Sequence, residues 1–407
     1  MSKKVLYISY DGMTDPLGQS QVIPYLEGLS RMGYVITIFS FEKKQRLAEQ
    51  EQLIRSLLDN AGISWEYELF SVRPPFLSKL YDSRKMKKKA VSMHKKHRFD
   101  FVHCRSYVAA EAGLLLARKY DLPFLFDMRG FWVDERVDNG QWKLANPLFR
   151  FLYKRYKKKE SAYFTYSRHV ISLTWKGKEE LNNVYNVPPD KVTVIPCCVD
   201  LAHFDYHKIS HDAVLRKKAE LGLDRDSPVI SYLGSLGGWY LEKEMLDFFV
   251  ELKKIYSNAR FLFITRDPAE KVKQAAVASG ANTQDIIVVP AFRRDVPLLL
   301  ALSDWSIFFI KDAYSKRASS PTKQGEIMAM GIPLVCNDIG DTGRIVRESG
   351  SGIVINEFNT AEYSQAIAKM GELKHTGKEH IRSAAFAYYD LAKGTADYAA
   401  VYKKMTG

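Results

Sequence analysis

The chain has 407 residues, too many for one ordinary hydrophobic core, so two domains are expected. Apolar residues make up 46% and charged residues 26%, which is ordinary for a soluble globular protein, and no run of about 18 uninterrupted apolar residues offers a membrane-spanning helix. The formal charge is +13, from 60 basic and 47 acidic side chains.

Val5 to Tyr10 is a short apolar run closed by Asp11-Gly12 and reads as a buried first strand. The stretch before it lacks the apolar core and cleavage site of a signal peptide. Gln19 to Met32 carries Val22, Ile23, Leu26 and Leu29 at helical spacing, with Pro24 near the first turn and Gly33 as terminator. The alternation then continues. Strand Tyr34 to Phe41 leads to helix Lys44 to Leu58, and strand Trp65 to Phe70 to helix Leu77 to His94. Strand Phe99 to Cys104 leads to helix Val108 to Tyr120, and then comes strand Pro123 to Asp127. A long helix is expected from Asn146 to about Tyr163. Strands His169 to Thr174 and Lys191 to Ile195 flank a helix over Lys178 to Tyr185.

After a polar stretch near His203 to Asp212 the pattern restarts with strand Val229 to Leu233, a glycine turn Gly234 to Gly238, and helix Leu241 to Tyr256. Strands at Arg260 to Thr265, Ile286 to Pro290, Trp305 to Ile310, Pro333 to Cys336 and Gly352 to Ile355 follow, and Thr360 to Lys404 is almost wholly helical. Repeated βα units with apolar strands mean parallel sheets covered on both faces. The expected architecture is α/β: two Rossmann-like domains facing across a cleft, where ligands meet the carboxyl ends of the strands. The boundaries read as 1–205, 206–385, and a C-terminal helix 386–407 crossing back to the first domain.

Four cysteines, Cys104, Cys197, Cys198 and Cys336, show no CxxC spacing, which fits a reducing cytoplasm without disulfides or a zinc site. Arg84 to Arg98 holds eight Lys/Arg and no acid, and Arg150 to Lys159 holds six. Each run reads as a solvated helix face or as a surface for an anionic partner: a membrane, a phosphorylated substrate, or nucleic acid. No helix-turn-helix, RRM or zinc pattern accompanies them, so nucleic acid is not expected.

Four segments invite chemistry. Asp15-Pro16-Leu17-Gly18-Gln19-Ser20 joins the first strand to the first helix; it is a tight turn, or a turn whose glycine lets backbone N–H groups approach a phosphate. Ser319-Ser320-Pro321-Thr322-Lys323-Gln324-Gly325-Glu326 precedes a short helix. Its hydroxyls can cap that helix or meet a diphosphate, Lys323 adds a point charge, and Glu326 offers two acceptors to a ribose diol. Asp127 to Arg136 follows a strand with dense charge beside Phe131 and Trp132, and His103 and Arg105 end the neighbouring strand; the bland alternative is a salt-bridge cluster. Asp224-Arg225-Asp226 is read as a turn rather than a metal site.

At these residues the sequence resembles the retaining glycosyltransferases of family four, which have the GT-B fold. Four blocks carry the resemblance: Gly18-Gln19-Ser20-Gln21 with Gly33-Tyr34, Arg129-Gly130-Phe131-Trp132, Val194 to Asp200, and Ser319 to Gly331 leading into Ile332-Pro333-Leu334-Val335. The resemblance implies a UDP- or GDP-sugar donor and no further cofactor or metal. Glu326 would hold the ribose, the backbone from Ser320 to Lys323 would meet sugar and diphosphate, and Gly18 and Gln19 would close on the diphosphate. Ser319, Gly234, Ser235 and Arg266 complete the expected donor site, and Asp127, Arg129 and His103 the catalytic set. The acceptor, a glycan or a lipid-diphosphate-linked saccharide, is expected on the first domain, at the inner face of the cell membrane and in cell-surface polysaccharide or glycoconjugate synthesis. A sugar-nucleotide epimerase of the same fold and a non-catalytic nucleotide-sugar binder are the alternatives.

The departures from the family pattern are specific. The earlier glutamate of the E-x7-E motif is Ala318. The usual Asn-Gly after Ile-Pro is Cys197-Cys198. The customary Arg and Lys pair is missing around Gly234 to Lys243, leaving Arg266, Lys311 or Lys323 to compensate. Phe126-Asp127 replaces the histidine that often ends the fifth strand, so Asp127 and Arg129 stand where it would act.

Overall fold

A computed structural model of the chain describes residues 2–72, 77–373 and 376–406. It divides into two units, each built on its own parallel sheet.

The first unit takes Met1–Pro196, Tyr314–Ser319 and Leu391–Gly407. Its strands are β1 (Lys4–Ser9), β2 (Val35–Glu42), β3 (Ser64–Leu69), β4 (Phe101–Arg105), β5 (Phe124–Asp127), β6 (His169–Ser172) and β7 (Val192–Val194). They pair in the order β3-β2-β1-β4-β5-β6-β7, all parallel. Leu6, Ile8, Phe39, Val102, Phe124 and Phe126 are wholly buried, which is why these strands read as continuous apolar runs. Strand order reverses between β1 and β4, and at such a switch point the carboxyl ends of a parallel sheet open a crevice. The helix Leu391–Thr406 packs on the helix Ile23–Arg31, where Gly28 allows contact: a Cβ there would lie 2.5 Å from Thr395 Cγ2.

The second unit takes Cys197–Ala313 and Ser320–Asp390. Its strands are β8 (Val229–Leu233), β9 (Arg260–Ile264), β10 (Ile286–Val289), β11 (Trp305–Phe308), β12 (Leu334–Asn337) and β13 (Gly352–Ile355). The order is β10-β9-β8-β11-β12-β13, again all parallel, with its switch point between β8 and β11.

The expected double α/β architecture stands; its details shift. The division falls at 196/197 rather than 205/206, because the chain beyond Pro196 is bonded to the second unit: Cys197 N–H donates to Ser320 Oγ (3.2 Å) and Val199 N–H to the Tyr389 carbonyl (2.8 Å). The last helix begins at Leu391 rather than 386, after a separate helix, Lys378–Tyr389. Residues 374 and 375, inside the expected closing helical stretch, lie outside the described residues. Tyr314–Ser319 belongs to the first unit because it is tied there at three points. Thr174 Oγ1 donates to the Arg317 carbonyl (2.6 Å), Asp138 Oδ2 accepts from Ser315 N–H (2.9 Å), and Lys316 pairs with Glu135 (2.9 Å).

The single helix expected over Gln19 to Met32 is two, Pro16–Gln21 and Ile23–Arg31. They break at Val22, whose ψ of −65° at φ −126° departs from helical values, and Pro24 opens the second. Two helices escaped the sequence reading. Trp132–Asp138 is short and charge-rich, and His211–Glu220 buries no residue, so neither shows an apolar period.

Candidate active site

In the second unit the helix Thr322–Ala329 follows Pro321, whose ψ of 120° at φ −74° is extended rather than helical. No side chain caps this helix, so the hydroxyls are not caps: Ser320 Oγ accepts from Cys197 N–H. Ser319 lies with the first unit, its N–H bonded to the Lys316 carbonyl, so the expected donor segment is divided between the units.

Lys323 is buried, and it runs to the turn after β8. A Cβ on Gly234 would stand 3.0 Å from its Nζ, and Gly234 keeps a left-handed φ of +111°. The amine donates to Tyr232 Oη (3.0 Å) and lies 4.1 Å and 3.5 Å from the ring centres of Tyr232 and Tyr240. Burial pushes its pKa well below the usual lysine range, against the upward pull of Glu326. Glu326 sits one turn on. Burial raises its carboxyl, and Arg293 at 3.8 Å and Lys323 oppose that rise.

The turn is braced from below. Asp267 Oδ2 accepts from Leu236 N–H (2.6 Å) and Thr265 Oγ1 (2.8 Å), and Tyr232 Oη donates to the carbonyl of exposed Ser235 (2.6 Å). Arg266 is turned elsewhere: its Nε donates to the Ala291 carbonyl (3.2 Å) and its guanidinium lies over Phe292 (4.7 Å), while Lys311 is exposed. Of the three cations expected to compensate for the missing pair, Lys323 is the one beside Gly234. Thr322 opens the helix, and Pro321 is buried beside it.

The first unit gathers His103, Arg105, Asp127 and Arg129 at the carboxyl ends of β4 and β5. His103 Nε2 is 3.6 Å from Asp127 Oδ2, Arg105 Nη1 is 3.9 Å from the same oxygen, and Arg129 Nη1 is 3.8 Å from Oδ1. Burial alone would raise the Asp127 carboxyl; Arg129, His103 and Arg105 outweigh it and hold it at about 2. Burial pushes His103 below the ordinary histidine value, against the upward pull of Asp127. The side chains of His103 and Asp127 are 3% and 1% exposed, against 10% for Arg129. Arg129 also holds a left-handed φ of +61°, a conformation that costs a non-glycine residue energy. Tyr398 Oη donates to Asp127 Oδ2 (3.1 Å), and Tyr402 Oη meets His103 Nδ1 (2.8 Å).

Gly18 and Gln19 stand in the same unit. A Cβ at Gly18 would lie 2.2 Å from the Gly12 carbonyl, so the tight turn by itself demands glycine. Gln19 Nε2 donates to the Thr14 carbonyl (3.2 Å) and to Gln50 (2.5 Å). Glu42 locks this loop from β2, accepting from Met13 N–H (2.7 Å), Thr14 Oγ1 (2.5 Å) and Ser40 Oγ (2.6 Å). Ala318 is wholly buried beside Gly177, where a Cβ would stand 2.9 Å away.

Sequence reasoning missed Arg293, Tyr232, Tyr240, Glu42, Tyr398 and Tyr402. Each lies far along the chain from its partner, and only Tyr240, in the glycine turn's shadow, carried a positional hint.

The family model described as Glycosyltransferase Family 4 matches residues 21–203, and that for Glycosyl transferases group 1 matches 227–372. The chain is 19% identical over 310 residues to an alpha-D-kanosaminyltransferase of Streptomyces kanamyceticus, covering 74% of this chain and 76% of that one. It is 21% identical over 291 residues to a D-inositol 3-phosphate glycosyltransferase of Acidothermus cellulolyticus, covering 69% of this chain and 62% of the relative, less than two thirds of its length. Among solved structures, Anabaena HepE in complex with UDP-glucose superimposes with a TM-score of 0.71 at 14% identity, over 98% of this chain and 99% of that one. The GT-B fold is shared.

Proposed function

The chain belongs to glycosyltransferase family 4, and from that premise we propose that it moves a sugar from a nucleoside-diphosphate donor to a saccharide or lipid-diphosphate-linked acceptor. The observation that carries the donor reading is the Lys323 amine at the Gly234 turn with Glu326 one helical turn away. A ribose diol donates to the Glu326 carboxylate. The diphosphate meets Lys323 and the start of its helix, which no side chain caps. UDP is the first candidate, supported by the UDP-glucose complex of the structural relative, and GDP the second.

Departure of the nucleoside diphosphate requires its growing negative charge to be stabilised. Lys323 and the helix N-terminus do this without a metal ion. Arg129, the least enclosed of its cluster, is the group there that reaches substrate, with Asp127 and His103 behind it. Transfer proceeds with retention of configuration, as the family resemblance implies.

The acceptor side is the first unit. The fold pairs part of each basic run: Lys85 and Lys89 with Glu68 and Glu66, Lys87 and Lys159 with Glu111, and Lys157 with Asp134. Arg84, Lys88, Lys154, Arg155 and Lys158 stay exposed, and Leu148 and Phe151, both 59% exposed, lie on the same helix as the last three. Basic residues beside exposed apolar ones favour an anionic membrane surface, so we place the enzyme at the inner face of the cell membrane, in polysaccharide or glycoconjugate synthesis. Incubation with UDP- and GDP-sugars and candidate acceptors in EDTA tests the reading. Transfer that needs a divalent ion would overturn metal independence, and the anomeric configuration of the product decides retention.

A further inference from the structure

The helix Leu391–Thr406 is remote in sequence from β4 and β5, yet it sets two tyrosines against their buried charges. Tyr398 and Tyr402 are four residues apart and share one helical face. Tyr402 Oη lies 2.8 Å from His103 Nδ1, and Tyr398 Oη donates to Asp127 Oδ2 at 3.1 Å. Tyr402 Oη holds the Nδ1 side of the ring, and Nε2 faces Asp127 Oδ2 at 3.6 Å. The ring centres of Tyr7, Tyr398 and Tyr402 lie 4.5, 5.6 and 5.7 Å from that of His103, so the imidazole has little room to turn.

Asp127 is thus held from every element around it: by His103 and Arg105 of β4, by Arg129 beyond β5, by Tyr398 of the last helix, with Tyr7 of β1 alongside. Arg105 is held in turn between Asp127 and Asp11, whose Oδ2 is 3.6 Å from its Nε. Both arginines stand 3.8–3.9 Å from Asp127, beyond the 2.7–2.9 Å of a tight bidentate pair, so they and the carboxylate act on one another as charges, and a hydrogen bond has to set where that charge sits. The short bond to Asp127 comes from the tyrosine.

We propose that Tyr398 is a positioning residue for sugar transfer: its hydroxyl fixes Asp127, and through Asp127 the guanidinium of Arg129 at the end of β5. This rests on the reading that Arg129 meets substrate. It gives the closing helix a role in the reaction, beyond covering the sheet.

The test is a set of variants of the full chain assayed for transfer: Tyr398→Phe, Asp127→Asn, the double variant, and Thr395→Ala. Thr395 lies on the same helix and packs on Gly28, so its loss weakens helix docking without touching the charges. Tyr398→Phe is expected to lower kcat about tenfold with donor KM within twofold of wild type, and Thr395→Ala to stay within twofold in both. The double variant is expected to be no slower than Asp127→Asn, since Tyr398 acts through Asp127. A normal kcat in Tyr398→Phe, an additive double variant, or an equal loss in Thr395→Ala would overturn the inference alone. Absence of turnover in the wild type would overturn the transferase reading and this inference with it.

Discussion

In the proposed donor site a single side chain, Lys323, stands in for a missing pair. An amine buried under two tyrosine faces loses hydration and so protonates less readily; an approaching diphosphate restores what burial removed. Donor affinity should therefore fall as pH rises through a lysine pKa well below about 10.4, the ordinary value. Lys323→Met should weaken donor binding at least about tenfold and abolish that basic limb, read by calorimetric titration with UDP across pH. Asp127 makes the opposite prediction for stability. Its carboxyl is held at about 2 against an ordinary 3.8, so it stabilises the fold fully above the unfolded value, and that contribution is lost as pH falls through about 2. The difference amounts to about 2 kcal/mol. Asp127→Asn should lower stability by roughly that much at pH 7 and unfold less steeply between about pH 4 and pH 2, as followed by urea midpoints.

Among the elements, the loop between β1 and its helix is where chemistry and packing were hardest to separate in the sequence. A glycine there fits a phosphate-binding turn, and the structure supplies a packing reason as well, since the Gly12 carbonyl fills the space of a Gly18 Cβ. Gly18→Ala should cost at least about 2 kcal/mol in the unliganded protein. Retention of full stability would leave ligand contact as the only reason for the glycine. Strands were legible because parallel sheets bury both faces and so read as apolar runs, as in Val229–Leu233. His211–Glu220 was not, since a helix with no fully buried residue leaves too weak a period to find. Lys323 and Glu326 share one short segment, so a donor-site expectation can be written on them from the sequence. Arg293, Tyr232 and Tyr398 reach their sites only through the fold, and no local pattern marks them. Ala318 was noticed as a departure, but its burial against Gly177 depended on where the segment 314–319 folds.

At the scale of the molecule the proposed donor site belongs to one parallel sheet and a guarded charge cluster to the other, each at the carboxyl ends of its strands. Exposed Leu148 and Phe151 beside Lys154, Arg155 and Lys158 are the surface proposed to meet acidic lipid. Co-sedimentation with vesicles should rise with acidic lipid content and fall when Lys154, Arg155 and Lys158 are changed to Gln; indifference to lipid charge would favour a soluble acceptor. The central claim is that Glu326 and Lys323 hold a nucleoside-diphosphate sugar for transfer. Its most direct test is nucleotide release from UDP- and GDP-sugars in EDTA, compared between wild type and Glu326→Gln. The account predicts acceptor-dependent release by the wild type and a loss of at least about tenfold in kcat/KM in the variant. Release unaffected by Glu326→Gln, or no binding of any nucleotide by the wild type, would contradict it.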